Sequence, residues 1–179
     1  MAKINFFDDA FKTEAIRSDR EFGIYDPGNS QPALTTQDAS LYQAVVKNPH
    51  CHPLQFVAVD HNMDILRPNG ETESTCDGMM YDDHHYISFV ELKDKEHGWA
   101  SEAVEQLKTT IGVFAANHRI DDFQRHFAYA VNVQHPAFNR SFKQVMQQFK
   151  AETKFVLRFG TVINVSYLTS NLGYEPSDS

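Results

Sequence analysis

The most constraining feature of the sequence is an apolar segment, residues 86–93 (YISFVELK), that ends in charged side chains. Its aromatic and β-branched residues are typical of a buried strand. Because side chains alternate between the two faces of a strand, Glu91 and Lys93 project from the same face, about 6.5–7 Å apart. A glutamate and a lysine together at the end of so apolar a strand need a chemical reason. The segment therefore predicts a strand that carries a functional site.

A second strand is predicted directly before this one. Residues 75–81 and 86–93 flank a polar turn, which indicates a β-hairpin. If the hairpin is centred on His84, Asp77 lies opposite Glu91, with Cβ atoms roughly 4.5–5.5 Å apart. Two opposed carboxylates repel each other unless a cation lies between them, and Mg²⁺ commonly takes one or two carboxylates together with waters and phosphate oxygens. The pair predicts a metal site, although a one-residue slip of the register would invert the faces.

A helix is predicted after the hairpin, because apolar residues recur at helical spacing over residues 99–116. Glu102, Gln106 and Thr110 form a polar line at i, i+4 and i+8 beside the apolar face. Gln106 is therefore expected to point into the same site as Lys93. A lysine in that position could hold a water or a phosphate and stabilise charge on the transferring group.

The remaining segments predict the fold class. Helices are predicted at residues 5–16, 37–47 and 136–152, and strands at 54–60, 126–133, 155–159 and 162–168, the last two as a hairpin around Gly160. This order of elements predicts an α/β protein with a mixed central sheet flanked by helices.

The length of 179 residues is typical of one domain. We expect a single domain over residues 1–179, which divides as follows: an N-terminal extension at 1–36, a core at 38–135, a C-terminal helix and hairpin at 136–170, and a disordered tail at 171–179.

Composition argues against several classes of protein. The sequence has no apolar run near the ~18 residues of a membrane span and no signal-peptide pattern at its N-terminus, so we expect no membrane partner. Two cysteines form no disulfide framework, which favours reduced thiols and a cytoplasmic location.

The net charge of −8 argues against a protein that coats nucleic acid by its overall charge alone. The acidity lies in residues 1–92, however, and residues 93–158 are mildly basic.

Asp77, a gap of 13 residues and Glu91-Leu92-Lys93 resemble the D…(D/E)xK signature of the PD-(D/E)xK nuclease superfamily. The resemblance covers roughly residues 38–135, by element order more than by sequence, and it implies a restriction-endonuclease-like fold with an αβββαβ core. It also implies a nuclease that depends on Mg²⁺, or on Mn²⁺, and acts on DNA rather than RNA. In this family Asp77, Glu91 and the Leu92 carbonyl would bind the metal, and Lys93 would orient or deprotonate the attacking water.

Gln106 resembles the helix glutamine of some branches of the superfamily. The sequence departs from the family pattern at Cys76, where proline is common, and at Thr110, where RecB-like members carry tyrosine. The acidic residue that the family often has on the first core helix has no clear match, since Asp38 is the only acid in the predicted helix and Glu14 lies further upstream.

One alternative function and the role of the histidines stay open at this stage. The chain could keep the nuclease fold without turnover, as a catalytically silent binding module in a larger nucleic-acid-processing or defence complex, and a homodimer or a protein partner is compatible with either function. The histidines of the segments 50–52 and 84–85 lack zinc-like spacing and are expected on surface loops. Those of the hairpin turn, His84 and His85, could contact substrate near the site.

Overall fold

The computed structural model describes residues 3–83, 85–135 and 142–165. Its strands are β1 (Glu21–Tyr25), β2 (Leu34–Thr36), β3 (Ala44–Lys47), β4 (Gln55–Ala58), β5 (Gly78–Asp82), β6 (Tyr86–Lys93), β7 (Arg125–Asn132), β8 (Val156–Phe159) and β9 (Val162–Asn164). Its α-helices are α1 (Trp99–Asn117) and α2 (Lys143–Thr153), and 3₁₀ turns lie at Asp9–Phe11, Ala39–Leu41 and Ile120–Asp122.

The strands form two mixed sheets. A five-stranded sheet has the order β4-β5-β6-β7-β8, in which β4, β5 and β6 are antiparallel and β6, β7 and β8 are parallel. A four-stranded sheet has the order β2-β1-β3-β9, with β9 parallel to β3. Helix α1 connects the parallel neighbours β6 and β7. The predicted α/β class is confirmed, but the predicted single central sheet flanked by helices is wrong: there are two mixed sheets, and the second sheet covers the face of the five-stranded sheet opposite the helices.

The core consists of two apolar clusters on opposite faces of the five-stranded sheet. One face packs against α1 and α2 through residues that include Met79, Phe89, Leu107, Phe114 and Phe149. The other face packs against the four-stranded sheet through residues that include Phe22, Val46, Phe56, Met80 and Val90. Strand β6 is covered on both faces, and seven of its eight residues are buried. This double burial explains its nearly continuous apolar sequence.

The two helices predicted in the N-terminal half are wrong. Residues 37–47 form the 3₁₀ turn Ala39–Leu41 and strand β3, in which Ala44 and Val46 point into the core. Residues 5–16 contain only the 3₁₀ turn Asp9–Phe11, whose first turn is capped by the side chain of Asp8. Side chains that bond to nearby backbone groups compete with helix formation, which accounts for the short turn.

The predicted C-terminal hairpin is also wrong. Strand β8 pairs with β7 and strand β9 pairs with β3, so the two strands lie in different sheets. Gly160 between them has a φ of 135°, a conformation that favours glycine. The predicted residues 166–168 of this hairpin, residues 136–141 of the predicted helix and the tail at 171–179 lie outside the described residues.

The elements around the predicted site are confirmed. Strands β4, β5, β6 and β7 and helix α1 all form where the sequence predicts them, with ends that differ by a few residues. The strands β1 and β2 of the N-terminal extension pair with each other, and β1 also pairs with β3.

Within the described ranges, no helix is long and apolar enough to cross a membrane. Cys51 and Cys76 are free thiols.

Candidate functional site at the junction of β5, β6 and α1

The register of the β5–β6 hairpin is the predicted one. Asp82 pairs with Tyr86 and Gly78 pairs with Val90, so the pairing is symmetric about residue 84. Continuing this register by one residue places Asp77 opposite Glu91. The backbone N–H of Asp77 donates a hydrogen bond to Glu91 Oε2 at 3.1 Å, which ties the two residues together.

The carboxylates of Asp77 and Glu91 are held by main-chain donors and one cation. Asp77 Oδ2 accepts a hydrogen bond from the backbone N–H of Leu92 at 2.6 Å. Glu91 Oε1 lies 2.7 Å from Lys93 Nζ. Since the N–H and C=O of a strand residue point to the same side, the carbonyl of Leu92 also faces Asp77. The structure thus brings Asp77, Glu91, Leu92 and Lys93 together.

The polar line of α1 faces these residues, as predicted. Lys93 Nζ donates a hydrogen bond to Gln106 Oε1, and Gln106 Nε2 donates to the carbonyl of Thr75 at 3.0 Å. One turn further along the helix, Thr110 Oγ1 accepts from the backbone N–H of Cys76 at 2.8 Å. The helix therefore holds both Lys93 and the segment that precedes Asp77.

Burial makes both carboxyl groups weaker acids than exposed Asp and Glu side chains. Glu91 is 3% exposed, and burial, together with the charge of Asp77, raises its pKa to about 9 in spite of the opposing effect of Lys93. Burial also raises the pKa of Asp77 to about 6, while the hydrogen bond from Leu92 lowers it. A buried carboxylate with a raised pKa is stabilised by any cation that reaches it. The site is therefore suited to bind a positive ion, and perturbed pKa values of this kind are enriched at functional sites.

Two further acids near the site were not predicted. The charges of Asp26 and Asp60 both raise the pKa of Asp77. Asp60 follows β4, and its backbone N–H bonds to the carbonyl of Cys76 at 3.1 Å. Asp60 is the last residue of the predicted strand 54–60, which lies next to the predicted hairpin. This position could have indicated that Asp60 lies near the site. Asp26 follows β1 in the other sheet, and nothing in the local sequence indicates that it approaches Asp77.

The donor set limits which metals fit. Among residues 3–83, 85–135 and 142–165 there is no group of three or more His, Cys, Asp or Glu side chains arranged to hold a metal. The candidate ligands are two carboxylates and a carbonyl, all oxygen donors. Hard cations such as Mg²⁺ prefer oxygen and keep several waters, so this set fits Mg²⁺ or Mn²⁺.

His85, in the hairpin turn, is not part of this site. Tyr86 pairs with Asp82 beside the turn, whereas Glu91 lies five residues along the strand, about 17 Å away at 3.4 Å per residue. The expectation that His85 lies near the site is therefore wrong, and His84 is outside the described residues. Of the other histidine segment, His50 is exposed and His52 is half-buried in the loop between β3 and β4.

Protein-family models, curated proteins and solved structures were compared with the chain, and none matches. The resemblance to the PD-(D/E)xK superfamily therefore depends on Asp77, Glu91, Lys93 and Gln106 and on the order of elements around them.

Proposed function

We propose that the chain is a divalent-metal-dependent nuclease that hydrolyses phosphodiester bonds, in DNA rather than RNA. The observation that carries the proposal is the convergence of Asp77, Glu91, Lys93 and Gln106 on one end of the five-stranded sheet. The order β4-β5-β6-α1-β7 is that of the βββαβ part of a restriction-endonuclease-like core, and it supports the same proposal. The first helix of that core has no counterpart in the described residues.

Asp77, Glu91 and the Leu92 carbonyl would hold the metal. The half-buried Asp77 and the buried Glu91 lie side by side with raised pKa values, and Asp26 and Asp60 add negative charge, so a divalent cation would relieve the repulsion between the ionised carboxylates. A metal held by these residues would act as a Lewis acid and would lower the pKa of a water bound to it.

Lys93 has the chemistry to orient a nucleophilic water or to neutralise a phosphate oxygen. Its side chain is only 14% exposed, and its ammonium group bonds to both Glu91 and Gln106. Gln106 is itself held by the carbonyl of Thr75, so the position of Lys93 is set before substrate arrives. Preorganised charges of this kind contribute most in sites that exclude water.

The acidic surroundings predict how nucleic acid binds. The acids Asp26, Asp60 and Asp77 outnumber Lys93, the one lysine among the described residues whose charge acts on Asp77, so the metal-free site repels phosphate. Binding of nucleic acid is therefore expected to be weak without a divalent metal and stronger with it.

Cleavage assays test the proposal. Purified protein is incubated with plasmid, single-stranded DNA and RNA in Mg²⁺, in Mn²⁺ and in EDTA. We expect cleavage of DNA with either metal and a loss of at least about 100-fold in Asp77→Asn and Lys93→Ala. Asp121→Asn, on the 3₁₀ turn after α1, removes an acid elsewhere and should keep wild-type activity.

The same assays separate this function from the alternative. Undiminished cleavage in both site variants would refute the assignment of Asp77 and Lys93. Absence of cleavage together with absence of Mg²⁺ or Mn²⁺ binding in calorimetry would instead favour a catalytically silent nuclease-fold module.

A further inference from the structure

Two lysines at the mouth of the site share one carboxylate. Glu102 Oε2, in the first turn of α1, lies 2.7 Å from Lys95 Nζ and 3.9 Å from Lys93 Nζ. Lys93 belongs to the buried cluster, whereas the side chains of Lys95 and Glu102 are half exposed. Two cationic groups therefore converge on a single anionic oxygen at the boundary between the buried site and solvent.

The side chain of Lys95 is exposed, but its main chain is fixed by two hydrogen bonds to Asn132. Asn132 Oδ1 accepts a hydrogen bond from the backbone N–H of Lys95 at 3.3 Å, and Asn132 Nδ2 donates to the carbonyl of Lys95 at 2.6 Å. Asn132 ends β7 and is fully buried. A buried amide that bonds to both main-chain groups of one residue restrains it strongly, because breaking either bond leaves a buried polar group unpaired. The position of Lys95 relative to Lys93 is thus built into the sheet.

We propose that Lys95 binds a phosphate of the nucleic-acid backbone adjacent to the group that is cleaved, and that the Glu102 carboxylate occupies this phosphate subsite in the free protein. This inference rests on the proposed nuclease function and adds a substrate-binding residue and an internal competitor to it. Lysine binds phosphate as a point charge, and a carboxylate oxygen between two ammonium groups stands where a phosphate oxygen would lie.

The side chain of Glu102 can leave the subsite at little cost. Its ion pair with Lys95 is exposed, and exposed ion pairs contribute little to stability. Substrate would thus replace one anion by another on Lys95, and part of its binding free energy would be used to displace Glu102. Removing the negative charge of Glu102 should consequently strengthen binding of nucleic acid.

Binding of a fluorescein-labelled 20-bp DNA duplex, measured by anisotropy with Ca²⁺ in place of Mg²⁺, tests the proposal. We expect Lys95→Ala to raise Kd by roughly three- to tenfold and to reduce the slope of log Kd against log salt by about one. We expect Glu102→Gln to lower Kd by a similar factor. In the double variant that also carries Lys95→Ala, most of this decrease in Kd should disappear.

Glu105→Gln is the matched control for charge. Glu105 lies on the same helix, is exposed and pairs with Lys108 at 3.6 Å rather than with the site lysines. Glu105→Gln changes the net charge by the same amount as Glu102→Gln. Any decrease in Kd in Glu105→Gln therefore measures only the long-range electrostatic effect of removing one negative charge from α1. Equal Kd values for Glu102→Gln and Glu105→Gln, or a wild-type Kd in Lys95→Ala, would overturn the proposal, as would absence of DNA binding in every form.

Kinetics distinguish this proposal from the nuclease function on which it rests. If the chain cleaves DNA, Lys95→Ala should raise KM with little change in kcat, because it removes a contact to substrate away from the reacting atoms. Cleavage with KM unchanged in Lys95→Ala would refute the subsite and leave the nuclease assignment intact. If no DNA is cleaved but Kd still increases from Glu102→Gln through wild type to Lys95→Ala, the nuclease function is refuted and the phosphate subsite is still supported.

Discussion

The backbone N–H of Asp77 donates a hydrogen bond to the carboxylate of Glu91, its partner across the hairpin, at 3.1 Å. In return, the carboxylate of Asp77 accepts from Leu92, the residue after Glu91, at 2.6 Å. The same pairing that joins the two strands therefore also holds the two carboxylates next to each other. Their mutual repulsion is opposed by these donors and by Lys93.

Metal binding should release protons. The pKa of Glu91 is about 9, so this carboxyl group is largely protonated at pH 7, and a metal binds only the ionised form. We expect affinity for Mn²⁺ to rise with pH between about 6 and 9, the pKa values of Asp77 and Glu91. Calorimetry at pH 7 in two buffers with different ionisation enthalpies measures the released protons. Equal apparent enthalpies in the two buffers, with an affinity independent of pH, would contradict this.

Glu91 should make the metal-free protein less stable as the pH rises. Its carboxyl titrates near 4.5 when unfolded and near 9 when folded, so between these values the folded state holds an extra proton. The free energy of unfolding therefore falls as the pH increases across this window. Urea unfolding in EDTA at pH 6 and pH 9 should show the decrease in wild type and a smaller one in Glu91→Gln.

The control for this experiment is Glu105→Gln, which removes an exposed acid from α1. It should retain the wild-type difference between pH 6 and pH 9. An equally large difference in Glu91→Gln would show that other groups cause the pH dependence.

The elements around the site were predictable because their signals are local. Strand β6 is apolar along its length because both its faces are covered, and the hairpin register follows from symmetry about a polar turn. The apolar face of α1 recurs at helical spacing, so Gln106 was correctly placed beside Lys93. None of these inferences needs knowledge of distant parts of the chain.

The four-stranded sheet was not predictable from local patterns, because its pairing is non-local. Val45 of β3 pairs with Val162 of β9, more than 100 residues further along the chain. Short strands of this kind are stabilised by cross-strand packing rather than by their own residues, so the local pattern of residues 37–47 predicts a helix where β3 forms. The proximity of Asp26 to Asp77 was missed for the same reason, since Asp26 follows a strand of that sheet.

Gly78, which follows Asp77, should not tolerate a side chain. A Cβ at this position would lie 2.4 Å from Cζ of Phe56 on β4. We expect Gly78→Ala to destabilise the protein by about 1–3 kcal/mol, because overpacking forces the ring or the strand to move. Adding Phe56→Leu should recover part of the loss. Urea unfolding measures both.

Gly112→Ala is the control for this substitution. Apart from its chain neighbours and the backbone of α1 itself, no atom lies within 4 Å of a Cβ built at Gly112, so alanine should stabilise the helix by about 0.5–1 kcal/mol. Wild-type stability in Gly78→Ala would mean that the ring of Phe56 moves aside without cost.

Two buried threonines offer a direct comparison between the site and the rest of the core. Thr110 Oγ1 donates to the carbonyl of Gln106 and accepts from the N–H of Cys76, at 2.9 and 2.8 Å. Thr153 Oγ1 makes the same pair of bonds in α2, donating to the carbonyl of Phe149 at 2.7 Å and accepting from the N–H of Phe155 at 3.1 Å. The two hydroxyl groups are chemically matched.

Valine at either position should destabilise the protein by about 1–3 kcal/mol, since each substitution leaves a buried N–H without its acceptor. Only Thr110→Val frees the segment that leads into Asp77, so only this variant should also weaken Mn²⁺ binding, by about tenfold. Urea unfolding and calorimetry on both variants separate the two effects. Equal Mn²⁺ affinities in Thr110→Val and Thr153→Val would mean that α1 does not position Asp77, and that the strand pairing with Glu91 and Leu92 alone holds it in place.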